Sequence, residues 1–194
     1  MSKMGVAAIS KAILILHEIY GVNDFINDQI HYFEALGFHV YCPNLLKRPA
    51  FSYQEAEAAY NYFYSQDHSE MQSNISNAVD RLSRIHEAVF VIGYSVGGTL
   101  AWLCSDNINC TGVIACYGSR IRDHVQLMPK CKTLLLFSQE AGFSVRQLAS
   151  KLANKPTVFI REFDAAHGFL NPSSANYCEH AAKEAQKEIL RFLQ

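Results

Sequence analysis

Three short stretches of this chain hold residue types that could do chemistry together. Gly93-Tyr94-Ser95-Val96-Gly97-Gly98 follows the apolar run Val89 to Ile92 and opens a helical pattern. A serine between glycines on such a turn has the context of a nucleophile elbow. Neighbours without a Cβ let strand and helix approach, and the strained turn lifts the Ser95 hydroxyl out at the carboxyl end of a sheet. The amide of Val96 then stands at a helix N-terminus, ready to donate to an oxyanion. A hydroxyl needs a base to become a nucleophile, and in this arrangement an acid and then a histidine follow the serine in chain order. His17, His31, His39, His68 and His86 precede Ser95; His124 lies in a loop with no strand leading into it, and His180 within the final helix. His167, in Ala165-Ala166-His167-Gly168-Phe169 just past the last strand, is the expected base.

The elements that must position these residues alternate in period. Ala12 to Leu16 is a short continuous apolar run, the mark of a strand buried on both faces. Asn23 is placed to cap a helix whose apolar positions are Phe25, Ile26, Ile30, Phe33 and Leu36, with Gly37 as its stop. Further strands are expected at Phe38 to Cys42, Ala88 to Tyr94, Thr111 to Cys116, Thr133 to Phe137 and Thr157 to Phe163. Helices are expected at Phe51 to Tyr64, Met71 to His86, the segment after Ser95, Phe143 to Leu152 and Ser174 to Phe192. Strands alternating with helices predict one α/β domain over residues 1–194, a mostly parallel sheet of about six strands with helices on both faces. The polar, aromatic-rich excursion from Pro43 to Glu87 is expected to lie over one end of that sheet. Within it Tyr60, Tyr62, Phe63 and Tyr64 suit either core packing or the apolar wall of a substrate cleft.

His17-Glu18-Ile19-Tyr20-Gly21, the elbow around Ser95 and Ala166-His167-Gly168-Phe169 together resemble the three signatures of the dienelactone hydrolase family of α/β-hydrolases. The resemblance runs from about Ile13 to Leu193 and takes in Asn23-Asp24-Phe25-Ile26 and Tyr41-Cys42-Pro43. It implies an α/β-hydrolase fold, in a short form lacking the N-terminal strands of larger members. Ser95 stands where the family has its nucleophile, a cysteine in the founding enzymes and a serine elsewhere, so a serine-nucleophile member is expected. The resemblance further implies His167 as base, Glu18 as the glutamate placed close to the nucleophile, and the Ile19 and Val96 amides as the oxyanion hole.

Two departures stand out. The family's triad aspartate aligns with Ala141, one residue after Glu140. Glu140 is therefore the leading candidate acid, with Asp164 and Glu18 behind it. The arginine that dienelactone-cleaving members carry shortly after the histidine is missing from Phe169-Leu170-Asn171-Pro172, which argues against dienelactone itself as substrate. Lys47, Arg48 and Arg120 could supply cationic contacts instead.

The expected activity is that of a small serine esterase. It would cleave an ester, lactone or thioester by a Ser-His-acid mechanism through an acyl-enzyme, with no metal and no cofactor. The alternative is a binding or regulatory protein whose catalysis is impaired by Ala141. Composition narrows the rest. Over 194 residues the net charge is −1, which excludes a phosphate-wrapping nucleic-acid surface. An apolar fraction of 49% excludes a disordered polymer. No apolar run has the length of a membrane span, and Met1 to Lys11 is followed by too short an apolar stretch for a secretory leader. Six scattered cysteines without a C-x-x-C pair read as free thiols of a cytoplasmic protein. The partner expected is a small ester or lactone, with the protein a monomer or homodimer.

Overall fold

The computed structural model describes residues 10–194; most of the Met1 to Lys11 stretch lies outside them. Six strands form one sheet in the order β2-β1-β3-β4-β5-β6, with every pairing parallel. They are β1 (Lys11–Leu16), β2 (His39–Tyr41), β3 (Ala88–Tyr94), β4 (Gly112–Cys116), β5 (Lys132–Gln139) and β6 (Val158–Ala166). Parallel neighbours require crossovers, and those crossovers cover both faces. That is why β1, β3 and β4 read as unbroken apolar runs. Ile13 and Ile15 face the helices α1 (Asp24–Ala35) and α6 (Glu179–Leu193), which contribute Phe25, Ile26, Phe33, Ala185 and Ile189 to that side of the core. Ala12, Leu14 and Leu16 point the other way, toward α2 (Ala56–Tyr64), α3 (His68–Leu82) and α4 (Val96–Cys104). Farther along this second face α5 (Val145–Leu152) packs Leu148 and Leu152 against Leu135 and Phe137. Each fully buried side chain of this kind contributes roughly 1.5–3 kcal/mol. The chain thus adopts the α/β-hydrolase fold, a parallel six-stranded sheet flanked by helices.

Several boundaries differ from the periodicity. The excursion from Pro43 to Glu87 covers a face as well as an end: Met71, Ile75, Val79 and Leu82 of α3 pack on Ala12, Leu14, Val89 and Val91. Its second helix starts at His68, ahead of the expected Met71, because the Asp67 carboxylate accepts from the Ser69 and Glu70 N–H groups and caps it. Phe51 to Tyr64 is no single helix. A 3-10 turn at Tyr53–Glu55, closed by the Ser52–Glu55 capping box, precedes α2. The last helix begins only at Glu179, since turns occupy the residues after Pro172. No helix among the described residues is long and apolar enough to cross a membrane.

Candidate active site

The carboxyl ends of five strands deliver one group each. After β3 the chain turns so sharply that a Cβ on Gly93 would come 1.9 Å from the Gly97 carbonyl oxygen, and one on Gly97 2.1 Å from that of Leu16. Only glycine fits either place. Between them Ser95 sits at φ 57°, ψ −116°, a conformation that costs an L-residue of order 1–3 kcal/mol and persists only where the surroundings enforce it. Its N–H is pinned to the Cys116 carbonyl on β4 at 3.0 Å, and its carbonyl accepts the Thr99 N–H.

The Ser95 hydroxyl lies 2.9 Å from His167 Nε2. On the far side of the ring His167 Nδ1 lies 2.7 Å from Glu140 Oε1. A carboxylate only accepts, so Nδ1 carries the hydrogen, Nε2 is the free base, and Ser95 donates to it. Glu140 is itself held by the Ser138 hydroxyl, which donates to the same oxygen at 2.9 Å. The Glu140 side chain is 13% exposed against 36% for His167, so the acid is sheltered behind a base that reaches solvent. Asn176 Nδ2 fixes the His167 carbonyl at 2.9 Å, and the Tyr117 ring packs edge-on against the imidazole.

The other two carboxylates are engaged elsewhere. Asp164 accepts from the Gln139 amide on the surface of the sheet edge. Glu18 is buried, and its Oε1 accepts the Tyr117 hydroxyl at 3.1 Å. Burial raises the Glu18 pKa; the Tyr117 hydrogen bond, the His167 charge and Asn171 pull it back in part. The alternative of an impaired binding protein rests on Ala141 at the aligned aspartate position; Glu140, one residue earlier, brings a carboxylate to the imidazole. Of the expected oxyanion donors, Ile19 lies on the turn after β1 beside Ser95, and Val96 is the first residue of α4, where a backbone N–H has no partner within the helix. Glu18, Ile19, Ser95 and His167 line a pocket of about 190 Å³ that also takes in Tyr20, Tyr53 and Ser174.

A larger apolar cleft of about 510 Å³ is walled by Phe63, Tyr64, Val96, Leu100 and Leu103. The aromatic stretch therefore splits its duties. Phe63 is both core and wall, Tyr64 is wall, Tyr62 donates to the Leu46 carbonyl, and Tyr60 is half exposed. Among the described residues no three His, Cys, Asp or Glu side chains cluster as a metal site would. Lys47 pairs with Glu70 and Arg120 with Asp123, and Arg48 stacks on Phe51; none of the three lines the smaller pocket.

His17 is a structural clasp for this site. Its Nδ1–H donates to the Glu18 carbonyl at 2.6 Å while Nε2 accepts the Leu45 N–H at 3.0 Å, tying the β1 loop to the excursion. Desolvation lowers its pKa from 6.5 to about 4. The folded ring resists a proton that the unfolded chain takes up at 6.5, so stability is complete above that value and is lost as the pH falls toward 4. The full shift corresponds to about 3 kcal/mol. Urea midpoints followed from pH 7 to pH 4 are expected to fall more steeply in the native protein than in His17→Gln. Equal slopes would remove His17 from the account.

The family model of the dienelactone hydrolase family matches residues 4–194. A Bacillus subtilis protein, YczH, itself uncharacterized, is 36% identical over 170 residues, covering 85% of this chain and 83% of its own. A carboxymethylenebutenolidase of Pseudomonas putida is 26% identical over 205 aligned positions, covering 96% and 86%. Among solved structures, a dienelactone hydrolase from Anabaena variabilis superimposes with a TM-score of 0.62 at 16% identity, covering 95% of this chain and 88% of that one. These findings correct one expectation. The matched family uses a Cys-His-Asp triad, so membership carries neither a serine-nucleophile class nor a serine esterase working by a Ser-His-acid mechanism. Ser95 and Glu140 are this chain's own departures from that triad. None of its six cysteines lines the pocket; Cys116, whose carbonyl accepts the Ser95 N–H, is fully buried, and burial pushes its thiol pKa up.

Proposed function

This chain belongs to the dienelactone hydrolase family, and from that premise we propose that it hydrolyses a small carboxylic ester or lactone in the pocket of Ser95, His167 and Glu140. The observation that carries the reading is the unbroken chain of hydrogen bonds from the residue-95 hydroxyl through His167 to the Glu140 carboxylate. Ester cleavage needs an attacking atom beside a base, a second group holding that base in its accepting tautomer, and donors where the carbonyl oxygen becomes an anion. The elbow, the imidazole with its carboxylate, and the amides of Ile19 and Val96 are assigned those three duties. Family relatives named carboxymethylenebutenolidases and a solved Pyrococcus furiosus esterase of the same fold support the ester and lactone class. Six unbridged cysteines support a reducing compartment, the cytoplasm.

The experiment combines turnover with a swap to the family's own nucleophile. The native protein is expected to hydrolyse p-nitrophenyl acetate and γ-butyrolactone with saturation. Ser95→Cys is expected to be alkylated by iodoacetamide at pH 6 far faster than a free thiol, because His167 draws the thiol proton, and to lose that advantage when His167→Ala is added. Absence of turnover on every short ester and lactone would overturn the function. Alkylation no faster than that of a free thiol would overturn the assignment of the site.

A further inference from the structure

We propose that Tyr53 is a directed hydrogen-bond donor to the substrate, and that it selects for a neutral ester or lactone bearing a second acceptor oxygen beside the carbonyl under attack. The inference rests on the function proposed above and specifies its substrate. Tyr53 lines the same pocket as Ser95 and His167. Its oxygen lies 2.8 Å from Asn23 Nδ2 and 2.6 Å from Asn171 Nδ2. Neither carboxamide is free to flip. Asn23 Oδ1 accepts the Ile26 N–H as the cap of α1, and Asn171 Oδ1 accepts the Ser173 N–H. Both therefore present NH₂ to Tyr53, and an NH₂ group donates only.

The phenol oxygen thus receives two hydrogen bonds, and its own hydrogen is spent on neither. Two amides clamp the oxygen and leave the O–H to the pocket. The ring is steadied by an edge-on contact with Tyr20, whose centroid is 4.7 Å away. The remaining lining offers an anion no cationic partner, since it contains no lysine or arginine. A fixed donor in a pocket of about 190 Å³ with no fixed cation matches a small neutral molecule with an ether, hydroxyl or keto oxygen. A site built to donate also discriminates against an analogue that lacks the acceptor, because its own polar group is then left unpaired.

The test compares p-nitrophenyl methoxyacetate with p-nitrophenyl butyrate, which differ by one oxygen in place of a methylene. In Tyr53→Phe the methoxyacetate-to-butyrate ratio of kcat/KM is expected to fall about tenfold relative to the native protein, mostly through KM. A merely structural role would lower both esters alike, and an unchanged ratio overturns the proposal. Asn23→Asp is the second variant. Aspartate caps a helix as well as asparagine, but its carboxylate accepts the Tyr53 hydrogen and turns it from the pocket. The same fall in ratio is expected, with Tyr53 still present and α1 still capped; a native ratio in this variant also overturns the proposal. If the native protein hydrolyses neither ester, the function has failed rather than the donor. Saturation-transfer NMR with 2-methoxyacetamide against butyramide then reads the preference without turnover: stronger binding of the ether that disappears in Tyr53→Phe supports the donor, and equal binding overturns it.

Discussion

His167→Ala is expected to lower kcat for p-nitrophenyl acetate by about 10⁵–10⁶-fold, in line with removal of a general base from a cooperating set. Among the described residues no other side chain stands ready to replace the imidazole. His17 is buried with both ring nitrogens engaged, and no other histidine lines the pocket. The side chain is 36% exposed, so its removal leaves no sealed cavity and the variant is expected to stay folded. Far-ultraviolet circular dichroism and a thermal melt check the fold, and stopped-flow or long-time assays check the rate. Added imidazole is expected to restore part of the activity, since the gap opens to solvent. A loss of less than tenfold in a folded variant would remove His167 from the chemistry.

Glu140→Gln is expected to cost about 10⁴-fold in kcat. The carboxamide has nearly the shape of the carboxylate, but its NH₂ can donate to His167 Nδ1. That stabilises the tautomer with hydrogen on Nε2, which cannot take a proton from residue 95. For the NH₂ to face the ring, the Ser138 hydroxyl, which in the native protein donates to the same oxygen, must turn and accept instead, as a hydroxyl can. Glu140→Asp keeps the charge but falls one methylene short, and an intermediate loss is expected. An unchanged rate in Glu140→Gln would mean that the contact orients nothing. Activity retained in Glu140→Gln but lost in Asp164→Asn would transfer the role to Asp164.

The elbow could be read locally, because a strand, a glycine-flanked serine and a helix are all neighbours in sequence. His167 could be read from order along the chain. Glu140 was harder, and the reason is geometric. Where β5 pairs with β6 the register shifts between Phe137 and Gln139. The pairing steps two residues along β5 against four along β6, so the strand ends that present Glu140 and His167 to each other leave the regular register, and nothing in the alternation of residue types reveals that. The sheet itself was legible because burial on both faces writes an unmistakable apolar run. Helix starts set by a single capping side chain, such as Asp67, left no periodic trace. Tyr53 had no signal at all. Its partners Asn23 and Asn171 are 30 and 118 residues away, and asparagines in loops have no pattern that betrays a shared contact. The nucleophile class was misread for a different reason: the residue at position 95 is visible, but its departure from the family's cysteine belongs to this chain and not to the family.

The histidine reaches the pocket from the tip of β6, and β6 is one of the two edge strands of the sheet, with alternate residues open to water. Local unfolding of a protein begins in such margins, at a free energy below that of the whole. Glu18, Ser95 and Tyr117 follow interior strands, whereas the His167 imidazole hangs from the hem. Detachment of this one strand would silence the enzyme while five strands stayed woven together. Stitching β6 down more firmly is therefore expected to lengthen the half-life of activity on storage, with the other five strands unaltered.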